Sequence, residues 1–217
     1  MIVTIDGPVA AGKTTVAREL ASRLGFTLLD TGAIYRSLAL GARARGVSQD
    51  DEEGLAELAR DLGVSFEWRD GQNHVFVDGV DVTAEIRLPE VSQAASIVSA
   101  LPGVRQALLD RQRQLAAEGS VVAEGRDIGT VVFPDAEAKF FVTADDLVRA
   151  ERRQRELLEK GGSDTVEEVL AALRERDLRD STRAVAPLKP ASDARIIDTT
   201  GRTIEEVLAE ILEYISA

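Results

Sequence analysis

The apolar run Ile2, Val3, Thr4, Ile5 leads directly into G-P-V-A-A-G-K-T, residues 7–14, and nothing else in the chain restricts its fold as strongly. The segment satisfies the P-loop pattern GxxxxGK[ST], which has physical meaning only between a strand and a helix. Both are predicted. The strand ends at Asp6, and the spacing of Val16, Ala17, Leu20 and Leu24 predicts a helix starting near Lys13. Glycines let the backbone wrap around an anion, and successive N–H groups together with the helix N-terminus point at phosphate oxygens. Lys13 is placed to reach the β- and γ-phosphates of a nucleoside triphosphate, and the Thr14 hydroxyl to ligate Mg²⁺.

A P-loop strand needs parallel neighbours, and the chain supplies them. Short apolar runs at 2–6, 27–30, 120–123, 139–143 and 195–198 alternate with helical patterns, including 104–118 and a final helix over 204–215. The expected fold is therefore α/β, a five-stranded parallel sheet flanked by helices. Between 62 and 83 the period changes. Val64, Phe66 and Trp68 alternate with polar residues, a turn follows at 69–73, then Val75 and Val77, then a second turn at Asp78-Gly79. This predicts an antiparallel insert on the parallel core, placed where it can cover a ligand crevice. At 217 residues one core with such an insert suffices.

Composition excludes several classes of function. With no cysteine there is no disulfide, thiolate metal site or cysteine nucleophile. His74 is the only histidine and, without a partner, builds neither a triad nor a zinc site. A net charge of −12 repels a nucleic-acid backbone. No apolar stretch approaches the ~20 residues of a membrane span and no basic segment precedes the first strand, so a cytoplasmic protein is expected.

Basic residues must then act locally, and all but Lys13, Lys139, Lys160 and Lys189 are arginines, suited to forked recognition of phosphate. In L-L-D-T-G-A-I-Y-R, residues 28–36, Asp30 or Thr31 caps a helix starting at Gly32 or Ala33, and Arg36 lies one turn in. In A-E-G-R-D-I-G-T, residues 123–130, Arg126 and Asp127 stand at the carboxyl end of a strand, where doubly wound sheets bind ligands. Arg149, Arg152 and Arg153 share a helical face, either as a salt-bridged surface or as a phosphate clamp. A second arginine-rich helix places Arg176, Asp180 and Arg183 close together before A-V-A-P-L-K-P ends it.

These stretches, with V-S-Q-A-A-S-I-V-S-A-L-P-G-V-R at 91–105 and E-G-R-D-I-G-T-V-V-F-P-D-A at 124–136, resemble the bacterial cytidylate kinases over essentially the whole chain. The resemblance implies a nucleoside-monophosphate kinase fold with a core of 1–35, 100–145 and 180–217, an NMP-binding insert at 36–99 and a short lid at 146–179. It implies an ATP phosphate site of Gly7, Pro8, Val9, Ala10, Ala11, Gly12, Lys13, Thr14 and Thr15, with Mg²⁺ on Thr14. It implies CMP-phosphate contacts from Thr31, Arg36, Arg126 and Arg183, cytosine contacts from Ser96, Arg105 and Asp127, and a ribose group of Arg176 with Asp180. Lys13, Arg126, Arg183 and the lid residues Arg149 and Arg153 are the implied catalytic cations. The implied partners are ATP and CMP or dCMP, with neither a nucleic-acid polymer nor a membrane, and the chain is expected to work as a monomer.

The implied reaction is transfer of the γ-phosphoryl group of MgATP to CMP or dCMP. The rival classes are other small-acceptor P-loop kinases and a P-loop GTPase switch. The switch needs an N-K-x-D segment, yet Asn73 is the only asparagine and His74 follows it. Asp198-Thr199-Thr200-Gly201 imitates a switch D-x-x-G, but at the last strand.

Overall fold

The computed structural model describes residues 1–69, 72–117, 119–159 and 161–216. The elements run β1 (Ile2–Asp6), α1 (Lys13–Leu24), β2 (Thr27–Asp30), α2 (Thr31–Arg45), α3 (Glu52–Asp61), β3 (Val64–Arg69), β4 (Gln72–Val77) and β5 (Val80–Asp81). They continue α4 (Pro89–Val98), α5 (Pro102–Leu115), β6 (Val121–Gly125), β7 (Ala138–Thr143), α6 (Asp146–Glu159), α7 (Val166–Thr182), β8 (Arg195–Asp198) and α8 (Ile204–Ser216). Contacts divide the chain into two compact units, Met1–Leu28 with Gly119–Ala217, and Leu29–Glu118. The chain passes from the first to the second along β2.

The first unit is built on a five-stranded parallel sheet of order β2-β6-β1-β7-β8. Its central strand β1 pairs with β6 from Ile2↔Val121 to Asp6↔Gly125, and with β7 from Val3↔Ala138 to Asp6↔Phe141. Val3 and Ile5 of β1, Val122 of β6, Phe140 and Val142 of β7 and Ile197 of β8 are buried together with Val16, Ala17 and Leu20 of α1 and Val207, Leu208 and Ile211 of α8. These are the apolar stripes at helical spacing, and they place α1 and α8 on the sheet. β1 and β7 are buried along most of their length, and the largely apolar runs this demands make them legible.

The third predicted core strand, 120–123, is shifted by tertiary structure to Val121–Gly125. The apolar pattern stops at Glu124, but pairing with β1 continues past it because the Glu124 carboxylate is buried with the Thr14 hydroxyl as donor. The helix expected over 104–118 begins at Pro102, where a missing N–H costs nothing at the first helical position. It ends at Leu115, and residue 118 lies outside the described residues.

In the second unit α2 packs on α3 and α4, and α3 on α5. Asp30 is the cap of α2, accepting from Ala33 N at 2.9 Å, so the helix starts at Thr31, one residue before the earlier of the two expected starts. The antiparallel sheet has three strands, β3-β4-β5. Residues 70 and 71 of its first turn lie outside the described residues, and Arg69↔Gln72 closes the register on either side. The second turn puts Asp78 and Gly79 at φ 50° and 81°, the left-handed pair that a two-residue hairpin turn requires.

Candidate functional site

The P-loop crosses the end of the sheet so closely that only glycine fits at its start. A Cβ on Gly7 would stand 1.9 Å from the Val142 carbonyl oxygen, and its φ of +145° disfavours any side chain. Ala10 and Gly12 follow in left-handed conformations, at φ 59° and 90°, which makes successive N–H groups converge on one concave face. Three loop carbonyls are held by donors. Pro8 O accepts from Lys13 Nζ at 2.6 Å, Val9 O from an Arg149 nitrogen at 3.1 Å, and Ala11 O from the Thr199 hydroxyl at 3.2 Å. With its oxygens committed, the loop keeps its N–H groups for an anion.

Lys13 is buried, and burial, followed by the nearby Arg126 guanidinium, pulls its ammonium well below the usual lysine range. The Glu124 and Asp6 carboxylates oppose this shift without reversing it. Thr14 donates to the Glu124 carboxylate at 2.9 Å. At the end of β1 the Asp6 carboxylate accepts from Ile128 N at 2.8 Å and Gly129 N at 2.7 Å. Burial pushes the Asp6 carboxyl up to about 6; the two N–H bonds oppose the rise and Asp127 adds to it. Sequence reasoning missed Asp6 and Glu124, although both stand where an apolar strand meets a glycine-bearing turn.

The arginines do different jobs. Arg183 is buried against Asp127 at 3.1 Å, and its Nε donates to Ala186 O at 2.5 Å. Ala186 holds φ 52°, a strained conformation for alanine that turns its carbonyl to that guanidinium. Arg126 donates to Asp180 Oδ2 of α7 at 3.1 Å. Arg149 is also buried, bonded to Asp146 and Asp177 at 2.6 Å each. Burial pulls its pKa down, but the two carboxylates outweigh burial and leave it raised. Arg153 pairs only at the surface, with Glu156 at 2.9 Å. Arg176 lies within electrostatic reach of Lys13.

Beside the P-loop lies a cavity of about 320 Å³, lined by Ala10–Gly12, Thr15 and Val16 on one side and by Arg152, Arg155, Thr199, Arg202 and Ile204 on the other. Arg152 donates to both the hydroxyl and the carbonyl of Thr199 at 2.9 Å. The D-T-T-G segment that imitates a switch motif is thus tied to the loop through Thr199. Arg152, read in the sequence only as part of an arginine face, lines this cavity, and Thr199 joins it without having been singled out in the sequence.

In the second unit Thr31 and Ser96 are buried, and Arg36 bonds Asp30 at 2.8 Å. Arg105, on α5, donates to Ser99 O at 3.1 Å and lies over the Tyr35 ring at 5.5 Å. The Ser99 hydroxyl donates to Ser96 O, so Ser96 and Arg105 belong to one bonded cluster.

A P-loop at the end of the central strand of a parallel sheet, with arginines and buried carboxylates at the same strand ends, defines a phosphoryl-transfer protein of the P-loop kinase class. The family described as Cytidylate kinase matches residues 3–217, and the chain belongs to it. It is 50% identical over 215 residues to the Cytidylate kinase of Pasteurella multocida, covering 99% of this chain and 95% of that one. It is 51% identical over 214 residues to the Cytidylate kinase of a Geobacter species, covering 98% and 91%. An uncharacterized protein from Eubacterium ventriosum has the same fold, with a TM-score of 0.53 at 15% identity over 100% of this chain and 99% of that one.

Proposed function

We propose that this protein transfers the γ-phosphoryl group of ATP to CMP and dCMP, giving ADP with CDP or dCDP. The observation that carries the reading is the P-loop seat, with its carbonyls tied back and Lys13 buried beside Arg126, in a chain half identical to curated cytidylate kinases. The donor phosphates take the N–H groups of residue 7 and residues 9–15, Pro8 having none, and the donor base takes the cavity beside Arg152 and Thr199. For the acceptor, Arg126 and Arg183 of the first unit serve the phosphate, Asp127 the base, and Asp180 with Arg176 the sugar. In the second unit, Thr31 and Arg36 carry the phosphate role and Ser96 with Arg105 the cytosine role that the family resemblance implies.

The nucleophile needs no general base, because a phosphate monoester has a second pKa of about 6 and is ionised at neutral pH. What has to be overcome is repulsion between two polyanions, and the converging cations neutralise it while holding donor and acceptor in line. The Thr14 hydroxyl and Glu124 carboxylate are hard oxygen donors that fit Mg²⁺ and would hold it. No group of three or more His, Cys, Asp or Glu gathers among the described residues, which suits an ion that takes one or two protein oxygens and completes its shell with phosphates and water. Bound there, the ion supplies charge neutralisation at the β- and γ-phosphates. Residues 146–179 act as a lid that excludes water, residues 36–99 as the acceptor-binding insert, and the protein works as a cytoplasmic monomer. Among the described residues, no helix is long and apolar enough to cross a membrane.

Cytosine is chosen over uracil because the Asp127 carboxylate accepts from the exocyclic amine, whereas uracil turns a carbonyl oxygen to the same place. Steady-state kcat/KM with ATP and a panel of CMP, dCMP, UMP, AMP and shikimate tests the reading. CMP and dCMP should lead by orders of magnitude, and equal or better use of any other acceptor would overturn it.

A further inference from the structure

A five-residue π-helical turn, 128–132, starts directly after Arg126 and Asp127. The first N–H groups of any helical turn lack partners within it. Here the two leading ones, of Ile128 and Gly129, go to the two oxygens of Asp6 at 2.8 and 2.7 Å, across more than 120 residues of chain. The Asp127 carbonyl, also at the leading end, ties the turn to its far side by accepting from Val131 N at 2.9 Å and Val132 N at 3.2 Å. The segment carrying Arg126 and Asp127 is therefore gripped by the carboxylate at the end of β1 and by its own backbone.

The fit around this carboxylate is close. Asp6 is 4% exposed, and a Cβ on Gly129 would stand 2.8 Å from Thr4 Oγ1 and 3.4 Å from Asp6 Oδ2. Each N–H has its own carboxylate oxygen, Ile128 on Oδ1 and Gly129 on Oδ2, and a carboxamide would set an N–H donor against one of these two N–H groups. Burying a carboxylate is costly, and the transfer chemistry does not use this one, so the cost has another reason. Single-turn π segments recur at functional sites because they re-aim a side chain.

We infer that Asp6 is a positioning residue for acceptor recognition: by taking the Ile128 and Gly129 N–H groups it sets the direction in which Arg126 and Asp127 face the acceptor nucleotide. The inference rests on the acceptor roles proposed above for those two residues. Asp6 itself does not touch substrate. Its two hydrogen bonds go to the 128–129 turn, while its charge reaches Lys13 only through space, so its removal acts on the acceptor side before the donor side.

The test compares wild type with Asp6→Asn. In the variant KM for CMP should rise, and the CMP-to-UMP ratio of kcat/KM should fall, each by about tenfold, the loss of one charge-assisted hydrogen bond. KM for ATP should stay within about twofold. In an Asp127→Asn background, Asp6→Asn should change the ratio by less than about twofold more, because residues that act through one another are not additive. An unchanged CMP KM and ratio, an ATP effect as large as the CMP effect, or full additivity with Asp127→Asn would each overturn the inference. Wild type that does not phosphorylate CMP would overturn the acceptor reading itself, before any variant is compared. If Asp6→Asn does not fold, amide hydrogen exchange in wild type decides: Ile128 and Gly129 should be protected as strongly as β1, and exchange at the rate of an open turn overturns the inference.

Discussion

Arg183→Ala should cost stability as well as rate, and the structure sets both magnitudes. Arg183 and Asp127 have side chains only 4% and 5% exposed and meet at 3.1 Å. Removing the guanidinium strands a carboxylate beside a second one, Asp6, and leaves Ala186 O without its donor. Breaking one side of a buried pair costs about 3–5 kcal/mol. At an unfolding entropy of about 2.1 cal/mol/K per residue, a chain of 217 residues shifts by about 2 °C per kcal/mol, so the melting temperature should fall by about 7–11 °C. Turnover should fall by about 10³–10⁵, the range for an arginine that stabilises a transferring phosphoryl group. The assay is differential scanning calorimetry with steady-state kinetics on Arg183→Ala, Asp127→Ala and the double variant. The double variant should recover part of the lost stability, since no charge is stranded, and none of the turnover. A single variant that melts within 2 °C of wild type refutes the buried-pair argument; one that keeps wild-type turnover refutes the catalytic role.

Three further outcomes follow from the geometry. Gly7→Ala should fail to give folded protein, because its Cβ would overlap the Val142 carbonyl at 1.9 Å; a normal far-UV spectrum and melting curve would contradict this. The Asp6 carboxyl is held near 6 when folded against 3.8 for a free aspartate, so its proton stabilises the native state at low pH, and that contribution is lost as pH rises from about 4 to 6. Stability of wild type relative to Asp6→Asn should therefore drop by about 3 kcal/mol across that window in urea titrations at fixed pH steps, and a flat difference would rule the shift out. Arg149→Ala should destabilise by about 3 kcal/mol and raise KM for ATP, since it unties Val9 O and two carboxylates, while Arg153→Ala, with only a surface pair, should stay within about 0.5 kcal/mol in melting. Equal effects on melting would show that the two arginines are not placed as described.

The sequence alone determined whatever depends on neighbours along the chain. The P-loop is legible because its anion site is one continuous stretch of backbone, residues 7–14, and its strand and helix adjoin it. β1, β2 and β8 are found at their predicted bounds because apolar runs between turns have few alternatives. The hairpin over β3 and β4 is legible from its period of two. The family resemblance extends this to the fold class and the reaction, because it rests on several long motifs rather than one.

Tertiary structure decided what depends on partners distant in sequence. Asp6 and Glu124 read as strand-end carboxylates, and only the pairing of β1 with β6 sets one against the 128–129 turn and brings the other to Thr14. Arg149, Arg152 and Arg153 read as one helical face, yet the first is buried under the P-loop, the second grips Thr199 and the third stays at the surface. Arg183 reads as a phosphate-binding cation close to Arg176 and Asp180, but Asp127, 56 residues away, makes it half of a buried pair. The physical reason is common to all of these. A backbone motif carries its own geometry, whereas a charged side chain has no fixed function until folding decides which opposite charge, carbonyl or cavity it meets, and how much water remains between them.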